Sequence, residues 1–132
     1  MENNAKQVVF NFLNAVKDLD LETVGALLSP VVSWSQPGNN QLSGLKDSRE
    51  AVFQMVGQMF ELSNNTLKLA EFKAVSSNGN RVACLLTWTA SNNAGNELNV
   101  NNIDVYTVES GLISEVEVFT ADEAQEDGFW GK

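Results

Sequence analysis

Between Leu98 and Thr120 the chain alternates apolar and polar residues in two long runs on either side of Glu109-Ser110-Gly111. That pattern commits this stretch to a β-hairpin, because successive side chains of a strand point to opposite faces. Leu98, Val100, Asn102, Asp104, Tyr106 and Val108 share one face of the first strand. The second strand separates Leu112, Ser114, Val116, Val118 and Thr120 from Ile113, Glu115, Glu117 and Phe119. Which faces meet depends on the turn. A two-residue turn at Ser110-Gly111 would set Asp104 against Glu117 and would force positive φ on Ser110, both unfavourable. A three-residue loop, with Gly111 as a left-handed bulge, pairs Val108 with Leu112 and Asp104 with Val116, and it is the expected form. If the strand runs past Thr120, Asp122 falls in phase with Asp104. Two carboxylates on one greasy sheet face are therefore the chemical feature to explain.

Composition narrows what those carboxylates can do. The chain has 132 residues, enough for one domain with a real core, and 17 acidic against 8 basic residues give a net charge of −9. Such a balance repels phosphate backbones and anionic lipid, so neither nucleic acid nor a membrane surface is an expected partner. Histidine is absent, which removes His-based nucleophile pairs and His metal sites. No metal and no cofactor is expected. Cys84, the single cysteine, lies in the apolar run Val82 to Leu86 and reads as a buried core residue. With no signal-peptide pattern and no long apolar run, a cytoplasmic location is expected.

Upstream, Ala5, Val8, Val9, Phe12, Leu13, Val16 and Leu19 recur at helical spacing. Asp20 caps a short second helix with Val24, Leu27 and Leu28 inward, which Pro30 ends. Val31 to Ser35 reads as a strand carrying Trp34, followed by a turn-rich loop from Gln36 to Gly44. Asp47-Ser48-Arg49-Glu50 opens a third helix with Val52, Phe53, Val56, Met59 and Phe60 inward. Strands are predicted over Thr66–Ser76, Arg81–Ser91 and Glu97–Val108, and a helical turn or two after Asp122. Helices followed by long antiparallel strands make an α+β domain, a cone-shaped curved antiparallel sheet wrapped around the N-terminal helices. Val82, Cys84, Leu86 and Trp88 share the inner face. The alternative sends Trp88 outward into a dimer contact.

Asp18-Leu19-Asp20, Trp34-Ser35-Gln36-Pro37-Gly38, Ser43-Gly44, Glu61-Leu62-Ser63, Ile103-Asp104-Val105-Tyr106, Ser110-Gly111-Leu112-Ile113 and Asp127-Gly128-Phe129-Trp130 occur in an informative order. On these pieces, which span nearly the whole chain, the sequence resembles the nuclear transport factor 2-like superfamily, specifically SnoaL-like and ketosteroid-isomerase-related proteins. The resemblance implies a conical pocket and frequently a homodimer, but no single chemistry. Asp104 matches the aspartate that stays protonated in ketosteroid isomerases and hydrogen-bonds the developing oxyanion. The isomerase base would lie near Ser35 and its tyrosine near Asn11, where this chain has neither, so that reaction is not expected. Arg81-Val82-Ala83 keeps the arginine of the epoxide-hydrolase Arg-x-Asp but loses the acid. Asp122 lies near the acid/base aspartate of SnoaL-type cyclases.

Three readings follow. In the first, the pocket handles a small, mostly apolar carbonyl compound by cofactor-free proton transfer, with Asp122 as base and Asp104 as a neutral donor. In the second, the same pocket binds a small apolar molecule without catalysis. Either way its candidate walls are Trp34, Phe53, Phe60, Trp88, Asn102, Tyr106, Val116 and Val118. The third is a homodimeric interaction module that buries the outer sheet face, with Ile103, Val105, Ile113 and Phe119.

Overall fold

The computed structural model describes residues 4–132. Helix α1 (Ala5–Lys17) turns Ala5, Val9, Phe12 and Leu13 onto the core at the expected spacing. It ends at Lys17, before Leu19. There Leu19 N–H donates to Val16 O and Asp20 N–H to Ala15 O, with Leu19 at φ 59°. This helix-ending motif ordinarily holds glycine at the left-handed position. Leu19 thus leaves the helix stripe, and its side chain is 58% exposed. Helix α2 (Leu21–Leu27) is capped by Asp20, whose carboxylate accepts from Thr23 N–H.

Strand β1 (Leu28–Gln36) begins earlier than the proline suggested. Pro30 is tolerated there because it sits near the start of the strand. A short strand that sequence reading missed, β2 (Gly44–Lys46), pairs with the end of β1. Helix α3 (Arg49–Leu62) is capped by Ser48, whose hydroxyl accepts from Ala51 N–H, and it buries Val52 and Met55. Strands β3 (Lys68–Asn78), β4 (Arg81–Ser91), β5 (Glu97–Glu109) and β6 (Leu112–Thr120) follow, then helix α4 (Glu123–Trp130).

The architecture is α+β, with the N-terminal helices held against a curved, unclosed sheet of order β2-β1-β6-β5-β4-β3. Its neighbours pair antiparallel except β1 and β6, which run parallel. Register shifts interrupt β3–β4 near Leu69 and Ala74, and β5–β6 near Thr107. Bulges of this kind bend a strand and increase its twist, which is how the sheet curls. On its concave side Phe12 of α1 packs edge-on against Tyr106 of β5, with ring centroids 5.8 Å apart. Among the described residues, no helix is long and apolar enough to cross a membrane.

The β5–β6 hairpin corrects the expected turn. Glu109 pairs with Leu112 across a two-residue turn, and both Ser110 (φ 54°) and Gly111 (φ 80°) are left-handed. The register then slips between Thr107 and Val108, so Asp104 faces Val118 and Tyr106 faces Val116. The repulsion between Asp104 and Glu117 is avoided, but by a bulge inside the strand and not by the loop. That bulge also turns Ile113 inward to full burial, so it leaves the outer face. Exposed there remain Ile103 and Phe119, which pair directly across the strands.

A serine in the left-handed region stores backbone strain that asparagine relieves, and Asn-Gly is the favoured pair for such hairpin turns. Ser110→Asn is expected to raise stability by about 0.5 kcal/mol, measured by urea denaturation. A destabilisation would argue against this turn.

Candidate functional site

The alternation of β5 does most of the positioning. Leu98, Val100, Asn102, Asp104, Tyr106 and Val108 are all buried. All but Val108 look onto a cavity of about 110 Å³, closed from the other side by α1 and α3. Trp34, Phe53, Phe60, Trp88, Asn102, Tyr106 and Val118 line it as expected. Val116 does not. It is fully buried and packs into the core. Leu19 and Leu21 form an exposed apolar rim at the cavity mouth. Trp88 lies on the inner side and not in an outward contact. An apolar cavity of roughly 150 Å³ encloses benzene; this one is smaller, so a ring seated in it would reach out to the rim of Leu19 and Leu21.

Asp104 is 3% exposed, deep in that wall. Tyr106 Oη donates to its Oδ2 at 2.8 Å, while Oδ1 is buried with no hydrogen-bond partner among the described residues. Across the strands Asp104 faces Cys84 and Val118. Burial pushes its carboxyl up to about 7; the Tyr106 hydrogen bond works against that and the charge of Glu126 adds to it. At neutral pH Asp104 is therefore protonated much of the time, which leaves an O–H to donate. Burial, then the Asp104 charge, holds the Tyr106 hydroxyl well above its ordinary range. Burial first, with Asp104 second, pushes the Cys84 thiol up to about 12, so it is core and no nucleophile.

Asn102, two residues before Asp104 on the same face, turns its amide to another group. With the amide oriented so that its nitrogen faces them, its two hydrogens are shared among Asn101 O (3.0 Å), Thr120 Oγ1 (3.2 Å) and Glu126 Oε2 (3.2 Å). Glu126, on α4, is only 4% exposed and lines the same cavity. Its Oε1 accepts from Trp130 Nε1 at 3.4 Å. Burial raises its pKa, against the hydrogen bonds from Thr120 and Trp130 that lower it; the nearby charges of Asp127 and Asp122 add to the rise. Sequence reasoning missed this residue. The signal was present: Glu126, Phe129 and Trp130 fall at i, i+3 and i+4, one helix face, and an acid on such a face is buried with the rest.

Asp122 corrects the expected pairing. Strand β6 stops at Thr120, and Asp122 becomes the N-cap of α4, where its carboxylate accepts from Gln125 N–H (3.0 Å) and Gln125 Nε2 (3.2 Å). Its side chain is exposed and does not line the cavity. Strand phase failed because a helix cap won the residue. Helix α4 is tied down on two sides. Asp127 Oδ1 accepts from Asn39 N–H and Asn40 Nδ2, both at 2.8 Å, while Gln125 Oε1 accepts from Asn99 N–H on β5 at 2.7 Å.

The model of the SnoaL-like domain matches residues 9–116, most of the chain. The protein belongs to the SnoaL-like family. A structure of a protein of unknown function with a cystatin-like fold, from Xanthomonas campestris, shares 36% identity with this SnoaL-like chain. It covers 98% of this chain and 99% of its own, with a TM-score of 0.92. Bal32a, from a soil-derived mobile gene cassette, shares 24% identity over 97% of both chains, at a TM-score of 0.90. TerC, co-crystallised with polyporic acid, shares 16% over 96% of this chain and 98% of its own, at 0.81. At those identities the last two establish the fold alone. A comparison with curated proteins gives no match.

Because Asp104 holds its proton more tightly folded than unfolded, its contribution to stability is complete below pH ~4 and drains away as pH rises through about 7. The change amounts to on the order of 4 kcal/mol. Asp104→Asn is expected to flatten the fall in urea-unfolding free energy between pH 4 and 7.5. The residual slope belongs to Glu126. An unchanged slope would mean Asp104 titrates normally. Asp122→Ala should cost about 1 kcal/mol, the worth of a cap, and leave the Asp104 titration in place.

Proposed function

We propose that this SnoaL-like protein binds a small, mostly apolar molecule bearing a carbonyl oxygen and stabilises negative charge developing on that oxygen. The observation that carries the reading is Asp104 Oδ1, buried at the cavity wall without a partner. A buried polar atom left unpaired costs free energy, and a ligand oxygen seated there recovers it. Because Tyr106 already donates to Oδ2, an acid proton is best carried on Oδ1, where it is available to a ligand oxygen. A neutral carboxyl group in an apolar setting is a strong donor to an oxyanion, as ketosteroid isomerases exploit. The apolar walls exclude water and hold the rest of the ligand by shape. Nothing in this chemistry calls for a metal or cofactor, since a proton alone changes hands. TerC carries polyporic acid on the same fold, which supports a small organic ligand here.

The competing reading is a binding module without chemistry, in which only shape and apolar contact matter. Phenols separate the two, because a phenol oxygen gains negative charge as its ring substituents make it more acidic. Calorimetric affinities of 4-substituted phenols at pH 6 are expected to rise with phenol acidity in the wild type. Asp104→Leu should weaken the most acidic member by about 10- to 100-fold, the worth of a charge-assisted hydrogen bond, and abolish the trend. Affinities that follow only phenol size, unchanged in Asp104→Leu, would leave the binding module standing.

A further inference from the structure

We infer that Glu126 is the proton-accepting base of this pocket, reaching it from the C-terminal helix α4 and working opposite Asp104 on β5. The inference rests on the oxyanion-donor reading of Asp104 and assigns the missing half of the reaction. Two carboxyl groups, 3% and 4% exposed, line one apolar cavity from different elements, and the charge of Glu126 acts on Asp104. The charge of Glu126 adds to the cost that burial already sets on ionising Asp104, so near neutral pH the favoured state leaves one of the two groups protonated.

Hydrogen-bond donors decide where that proton sits. Glu126 receives Trp130 Nε1–H on Oε1 and the Asn102 amide on Oε2. Asp104 receives one donor, the Tyr106 hydroxyl, and its second oxygen has none. Donors favour the charged form of a carboxyl group. Glu126 is therefore the carboxylate and Asp104 the acid. Two neighbouring carboxyl groups pushed apart in this way carry distinct base and acid roles. Asp127 and Asp122 lie near enough to add negative potential at Glu126, which makes the carboxylate more basic. Asp127 is itself held by Asn39 and Asn40 and faces away from the cavity wall.

The step balances without any further reagent. A carboxylate oxygen of Glu126 takes a proton from the carbon beside the substrate carbonyl. The C–H electrons form the C=C bond, and the carbonyl π pair moves to oxygen, where the Asp104 O–H holds it. The Glu126 carboxyl exchanges its proton with solvent and then delivers one to the same carbon, or to the far end of a conjugated system, and the carboxylate is restored. The class of reaction is enolisation, and isomerisation where a conjugated double bond can move.

The test uses cyclohexanone as probe, with deuterium entry at its α-carbons followed by proton NMR in heavy water near neutral pD. Wild-type protein should accelerate exchange over buffer. Glu126→Gln should lower the accelerated rate by at least about 100-fold, in the range general-base catalysis supplies, while phenol affinity still rises with phenol acidity. Asp104→Leu should lose both, and Asp122→Asn neither. Exchange that survives in Glu126→Gln, or that falls equally in Asp122→Asn, overturns the assignment. Wild-type protein that binds phenols through Asp104 yet never exceeds buffer exchange overturns the base and leaves the donor. Carbon-13 titration of the wild type tests the roles even if a variant fails to fold. At pH 6 Glu126 Cδ should report carboxylate and Asp104 Cγ the acid; the reverse order sinks the inference.

Discussion

Everything distinctive about this molecule follows from one carboxyl group kept out of water with a single donor. Asp104 occupies a position that strand alternation would give to an apolar residue, between Asn102 and Tyr106 on the concave side of β5. Burial alone would make its charge prohibitively costly, and one hydroxyl at 2.8 Å does not compensate. The group settles the conflict by keeping its proton into the neutral range. Around it the fold is arranged for dryness, with Phe12 and the aromatic faces of α3, β1 and β4 closing over the site. A structure built only for stability would place leucine there.

The two buried acids also divide the polar inventory unequally, and the division is local in origin. Asn102 stands two residues before Asp104 on the same face, yet its amide turns toward α4 because Glu126 and Thr120 lie there. Each oxygen of Glu126 is thus engaged, whereas Asp104 keeps one vacant. Cys84 pays part of the cost. Facing Asp104 across the sheet, it is driven further from ionisation and stays chemically silent.

Much of this was legible in the sequence, and the exceptions share a cause. Alternation along Leu98 to Val108 gave the strand, its inward face and the buried aspartate, because one residue of slip would turn every side chain to water. The repulsion argument at Glu117 was physically sound, yet nothing in the residues said whether loop or strand would absorb the extra residue. The bulge near Thr107 did so, and Ile113 changed faces as a result. Asp122 and Glu126 exchanged roles for a similar reason. The sequence shows two acids four apart after the last strand, and only the point where β6 gives way to α4 decides which caps and which is buried. Leu19 joined the helical stripe on spacing, but the helix closes two residues earlier and turns it to the rim.

Helix α4 has a wider meaning because of where it lies along the chain. The family match ends at residue 116, whereas Glu126 enters the cavity from beyond it. The sheet supplies the acid and part of the walls, and the last helix of the chain supplies the second buried ionisable group. That segment is pinned by side-chain bonds to the 39–40 loop and to β5, not threaded through the core. A substitution in this stopper can therefore change the chemistry of the vessel while leaving the vessel itself intact.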